Sequence, residues 1–84
     1  MIDLVWQSEI VEGVEKQYCS LPYNCEASII KLVDGWLGIV TQGYRVWFRC
    51  KASDIEVVKD TILSDFNNTR NEIEYYYKKS ANRG

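Results

Sequence analysis

The sequence predicts a small α+β domain, an antiparallel β-meander of three to five strands with a C-terminal helix packed on one face. Three observations carry this reading. Three short runs rich in Ile, Val, Trp, Tyr and Phe, at Ala27–Val33, Trp36–Thr41 and Tyr44–Lys51, are joined by two-residue connectors that each end in glycine. After them comes a stretch whose apolar residues recur every three or four positions. The chain has 84 residues, enough for one core and too few for two. Residues 1–84 are therefore read as one domain: N-terminal strands or a short helix at 1–26, a three-stranded meander at 27–51 and a helical region at 53–80.

The connectors are Asp34-Gly35 and Gln42-Gly43. Asp-Gly is a strong hairpin signal, because a type I′ turn needs positive φ at both central residues. Two-residue loops at these places fix a register in which Val33 faces Trp36, Ile30 faces Ile39, Ile39 faces Val46 and Trp36 faces Arg49. One face then collects Ser28, Ile30, Leu32, Leu37, Ile39, Thr41, Tyr44, Val46, Phe48 and Cys50. It is apolar enough to be the expected core face, so aspartate at Ile39 or Phe48 is expected to unfold the chain. The opposite face collects Ile29, Lys31, Val33, Trp36, Gly38, Val40, Arg45, Trp47, Arg49 and Lys51.

Ser53-Asp54-Ile55-Glu56 has the form of a capping box, with serine accepting from the helix N-terminus and glutamate reaching back. An apolar stripe follows at Ile55, Val58, Ile62, Phe66, Ile73 and Tyr76, with Thr69 on the same line. Thr69-Arg70-Asn71-Glu72 repeats the capping pattern, so one long helix and a helix broken near Asn68 both fit. At the other end, Ile2–Gln7 reads as a strand, with Val14–Cys19 as its hairpin partner across Glu12-Gly13. Ile10, Val11, Val14 and Tyr18 also fit a helical face, but Gly13 would cost a short helix about 1 kcal/mol, which favours strands.

Composition narrows the function. With 46% hydrophobic and 26% charged residues and a single proline, the chain is neither disordered nor fibrous. Its longest apolar run, Trp36–Val40, is far shorter than a membrane span, and no basic-then-apolar leader opens the sequence, so a cytoplasmic protein is expected. Histidine is absent, which removes the commonest general base and metal ligand. No nucleophile motif or phosphate-cradling glycine loop is present, so no enzyme, no catalytic residue and no cofactor are expected. Cys19, Cys25 and Cys50 are odd in number and lack zinc spacing; they are read as reduced thiols, and no metal is expected. Residues 1–34 hold six acids against two bases, a net of −4, while residues 35–84 carry a net of +2.

The unusual feature is the second sheet face. Along β-period two it reads Arg45, Trp47, Arg49, Lys51, with Trp36 beside Arg49 and with Lys31 and Gly38 beside Trp47. Trp and Arg dominate the energetics of protein interfaces, and rings interleaved with cations on a sheet also hold single-stranded nucleic acid. Trp36, Arg45, Trp47, Arg49, Lys31 and Lys51 are therefore the candidate partner-binding residues. A purely structural reading stands beside this: Trp47 covers the strand glycine Gly38, and the N-terminal segment with Trp6 folds over the face.

The build as a whole, a short acidic domain with a meander, a helical C-terminus, an adhesive face and no catalytic set, resembles many small phage-encoded inhibitors of bacterial defence enzymes. The likeness is one of build and rests on no motif. It implies stoichiometric binding to a protein without turnover. RNA or single-stranded DNA bound through the Trp/Arg face is the alternative, self-association through the Trp36/Trp47 face a further one, and an acidic nucleic-acid mimic the third.

Overall fold

The computed structural model describes residues 4–81. Five strands, β1 (Gln7–Val11), β2 (Val14–Leu21), β3 (Cys25–Leu32), β4 (Gly35–Gln42) and β5 (Arg45–Ala52), form one antiparallel sheet in sequence order. A single helix, α1 (Ile55–Ala81), follows and lies across β4 and β5. The expected α+β architecture holds at the upper end of its strand range. The expected first strand at Ile2–Gln7 is instead Gln7–Val11, and residues 2 and 3 of that expectation lie outside the described residues.

Each hairpin shows which turn its residues permit. Glu12 and Gly13 both have positive φ, 53° and 80°, as a type I′ turn requires. Tyr23 and Asn24 do the same at 63° each, closed by Cys25 N–H donating to the Pro22 carbonyl at 3.4 Å. The next two turns sit one residue away from their expected places. Leu32 pairs with Gly35, so Val33 and Asp34 form the loop, and Gln42 pairs with Arg45, so Gly43 and Tyr44 form the other. Gly43 has φ 60° and opens its turn, as glycine does in type II′. Gly35 starts β4 because its backbone lies against β5: a Cβ there would come within 2.6 Å of the Ala52 carbonyl oxygen.

A bulge decides which face is which. Thr41 pairs with Val46 but Val40 pairs with Phe48, leaving Trp47 as the extra residue. Beyond it, Phe48, Cys50 and Ala52 share a face with Val40, Gly38 and Trp36, while Arg49 and Lys51 join Ile39 and Leu37. The helix packs on the first of these faces. Ala27, Ile29 and Val40 of the sheet and Val58, Ile62, Phe66 and Ile73 of the helix are fully buried, with Cys19, Leu21 and Cys25 beside them. At Gly38 the layers approach closely, since a Cβ on it would stand 2.6 Å from Val58 Cγ1 and 2.9 Å from Ile62 Cδ1.

The expected core face is thereby corrected. Ile30, Leu32, Leu37 and Ile39 lie away from the helix, and the face read as outward carries the core. Without the bulge, Arg49 and Lys51 would point beneath the helix; with it, the helix meets an apolar surface.

The helix is continuous through Asn68, and its stripe is the expected one, with Tyr76 at its rim. Its N-cap is Asp54 instead of Ser53: Oδ1 of Asp54 accepts from Glu56 N–H at 2.9 Å, and the Asp54 carbonyl accepts from Val58 N–H. No helix among the described residues is long and apolar enough to cross a membrane.

Candidate interaction surfaces

The six candidate residues are divided between the two sides of the sheet. Lys31, Trp36, Arg45 and Trp47 lie on the helix side, and Arg49 and Lys51 on the other. Trp36 and Trp47 are half-buried against the core on the helix side. Leu4 and Trp6 do pack on that same core, with the Lys59 ammonium 5.6 Å from the Trp6 ring. Gly38 faces Cys50 across the strands, so Trp47 does not cover it.

Trp47 belongs to an aromatic fastening between β5 and the end of the helix. Its ring meets Tyr76 edge-on at 5.5 Å, and the Arg45 guanidinium stands 4.5 Å from the Trp47 ring and 4.4 Å from that of Tyr76. Such a cation–π pair contributes about 0.5–1 kcal/mol where it is exposed. Tyr77 packs on Tyr23 of the β2–β3 turn at 5.8 Å. Between these pairs lies an open cleft of about 290 Å³, floored by Gln42 and walled by Tyr44, Arg45, Tyr76 and Tyr77. Trp47, one of the two rings expected to form a binding platform, is thus engaged by Tyr76 and Arg45. Lys31 covers the Trp36 ring at 4.7 Å in the same way.

The opposite sheet face is uncovered. The register sets out its rows from β1 to β5: Glu9, Lys16, Ile30, Leu37 and Lys51 in one, Gln7, Tyr18, Ser28, Ile39 and Arg49 in the next. Leu32 lies beyond the first row, and Ser20, Glu26, Thr41 and Val46 form a third. No described residue is packed over this face, since the helix and Leu4–Trp6 both occupy the other. Its centre is apolar, and cations concentrate at its β5 edge. Lys51 Nζ lies 3.1 Å from Asp34, an exposed pair that holds the Asp34 carboxyl below its ordinary range. Arg49 makes no ion pair among the described residues.

Ile30, Leu32, Leu37 and Ile39 are not among the sequence candidates for a surface, because the sequence reading assigns them to the core, and Tyr18 falls in the N-terminal segment, to which that reading gives no face of the meander. The available signal was Gly38: a glycine inside a strand marks the side on which another backbone or element comes close.

No group of three or more potential metal ligands occurs among the described residues. Burial pushes the Cys19 and Cys25 thiols up to about 11, with Glu26 adding to the effect at Cys19. Cys50 is raised by burial and then by Asp65. None of the three is an activated thiolate. Comparison with known proteins finds no matching family model, no matching curated protein and no matching solved structure.

Proposed function

We propose that this chain is a non-catalytic binding protein, a protein–protein interaction module or stoichiometric inhibitor, that engages its partner through the open sheet face. The observation that carries this reading is that face itself. Ile30, Leu32, Leu37 and Ile39, with Tyr18 beside them, form a contiguous apolar centre that no described residue covers. Monomeric proteins seldom leave such a patch unused. Its rim of Glu9, Glu26, Arg49 and Lys51 gives the pattern of an interface, with an apolar centre and charged periphery. Of the original candidates, Arg49 and Lys51 stay in the proposed site. Trp47 packs on Tyr76 of the helix, and Trp36 lies under the Lys31 ammonium. Nucleic acid is less well supplied: the face offers Lys16, Arg49 and Lys51 for phosphates, but Tyr18 is its single aromatic ring.

The test is affinity capture from lysate of the native host with and without nuclease treatment, comparing the unaltered chain with Leu37→Glu on the open face and Tyr76→Ala at the cleft. The expected result is a stoichiometric protein retained by the unaltered chain and by Tyr76→Ala but lost with Leu37→Glu. Retention that disappears on nuclease treatment, or that follows Tyr76 in place of Leu37, overturns the reading.

A further inference from the structure

The open face is self-complementary in one arrangement, and we infer that its partner is a second copy of this chain, two sheets packed face to face with the twofold axis parallel to the strands. This inference rests on the reading of that face as the interaction surface. Aligned sheet packing permits two kinds of twofold axis in the interface. An axis across the strands lays β5 on β5 and sets Arg49 against Arg49. An axis along the strands carries β1 of one copy over β5 of the other and keeps each row opposite itself in reverse order.

The residues then meet as follows. Glu9 comes over Lys51 of the second copy and Gln7 over Arg49, twice by symmetry. Arg49, which has no carboxylate partner among the described residues of its own chain, meets the Gln7 side-chain amide, whose oxygen can accept from the guanidinium. Tyr18 lies over Ile39, and the Lys16 stem over Leu37, its ammonium free to extend to the rim. Ile30 and Ser28 of the central strand lie at the axis, where small and apolar groups belong. Glu26 is the one group brought toward its own copy. It is exposed, near the end of β3, where sheets crossed at about 30° separate and water screens the charge.

The area is sufficient. Strands of eight residues at about 3.3 Å each, across four spacings of about 4.8 Å, give a face of about 500 Å² in projection per copy. Side-chain relief makes the accessible area larger, so a pair buries at least the roughly 1,000 Å² that separates specific interfaces from incidental ones. The result is a four-layer assembly, helix, sheet, sheet, helix, whose two sheets share the apolar centre.

The experiment is sedimentation equilibrium of the full chain over a concentration series, with circular dichroism as the check on folding. The unaltered chain is expected to sediment at twice its 9.8 kDa mass. Leu37→Glu is expected to be a folded monomer. Glu9→Lys, an exposed change with no bearing on folding, is expected to weaken the dimer by about tenfold or more, because it opposes like charges. Glu9→Lys combined with Lys51→Glu is expected to recover most of that loss. A dimer that Leu37→Glu leaves intact, or a double variant no stronger than Glu9→Lys alone, overturns the inference. So does a chain that stays monomeric throughout. In that last case, a different macromolecule whose capture Leu37→Glu abolishes would preserve the open-face reading while refuting self-association. A monomer with Leu37→Glu without effect on capture refutes both.

Discussion

The indole Nε1 of Trp47 donates a 3.1 Å hydrogen bond to Oε1 of Gln42. The amide nitrogen of the same Gln42 donates to the Tyr23 carbonyl at 2.7 Å and to the Ile73 carbonyl at 3.3 Å. One side chain at the end of β4 therefore joins the bulge in β5, the β2–β3 turn and the helix backbone. The bulge is what turns Phe48 and Cys50 toward the helix, so this network helps fix which face of the sheet is the core.

Replacing Gln42 with leucine removes all three bonds and leaves the half-buried Trp47 N–H without a partner. The expected loss is about 2 kcal/mol, against about 1 kcal/mol for Trp47→Phe, which keeps the ring and removes only the donor. Urea denaturation of the two single variants and the double variant checks this. The double variant should lose less than the sum, because both changes remove the same bond.

Gly38 should tolerate no side chain while Val58 keeps its size. A Cβ at Gly38 meets Val58 Cγ1 at 2.6 Å and Cys50 Sγ at 3.1 Å, so Gly38→Ala must push the helix from the sheet. About 1–3 kcal/mol is expected from overpacking. Combining it with Val58→Ala should restore part of the loss, seen as a positive coupling in thermal or chemical melts. Strict additivity would show that the helix does not sit on Gly38.

The helix was legible because its buried stripe is a direct record of its packing: Val58, Ile62, Phe66 and Ile73 are spaced as the core requires and are fully buried. The meander was legible as strands and turns, but its orientation was not. A glycine marks a turn without saying which turn position it fills. Gly43 opens its loop and Gly35 lies beyond its own, so each register moves by two, which leaves the sides unchanged. The bulge moves the register by one and exchanges the sides for Phe48 through Ala52. Nothing in Val46-Trp47-Phe48 announces it, since no glycine stands there. The sequence pattern therefore assigns the isoleucine–leucine face to the core and Trp36 and Trp47 to a surface.

The buried thiols give a pH signature. The ordinary thiol value is 9.0, and burial raises Cys19 and Cys25 to about 11, so the folded state favours the neutral form. Their contribution to stability is complete below pH 9.0 and is lost as pH rises through the folded value near 11. Denaturation midpoints should therefore fall across that alkaline window, and Cys19→Ala with Cys25→Ala should flatten the decline. Alkylation at mildly alkaline pH should be slow in the native protein and fast in denaturant. Rapid native labelling of Cys19 or Cys25 would contradict the burial.

Aspartate substitutions distinguish the two faces. Val40 and Ile29 are fully buried beneath the helix, so Val40→Asp or Ile29→Asp strands a carboxylate without a partner. That costs several kcal/mol, comparable with the roughly 5–15 kcal/mol total of a small domain, and should abolish the folded state. Phe48→Asp points to the same core from a half-buried position and should also destabilise strongly. Ile39→Asp, one residue from Val40, places its charge on the open face where water reaches it. It should cost no more than about 1–2 kcal/mol in dilute protein, where association contributes little. Raising the protein concentration should stabilise the unaltered chain but not Ile39→Asp, because a charge at the apolar centre prevents the two sheets from meeting. Circular dichroism melts at two concentrations separate these outcomes. Unfolding of Ile39→Asp together with tolerance of Val40→Asp would mean that the helix lies on the other side of the sheet.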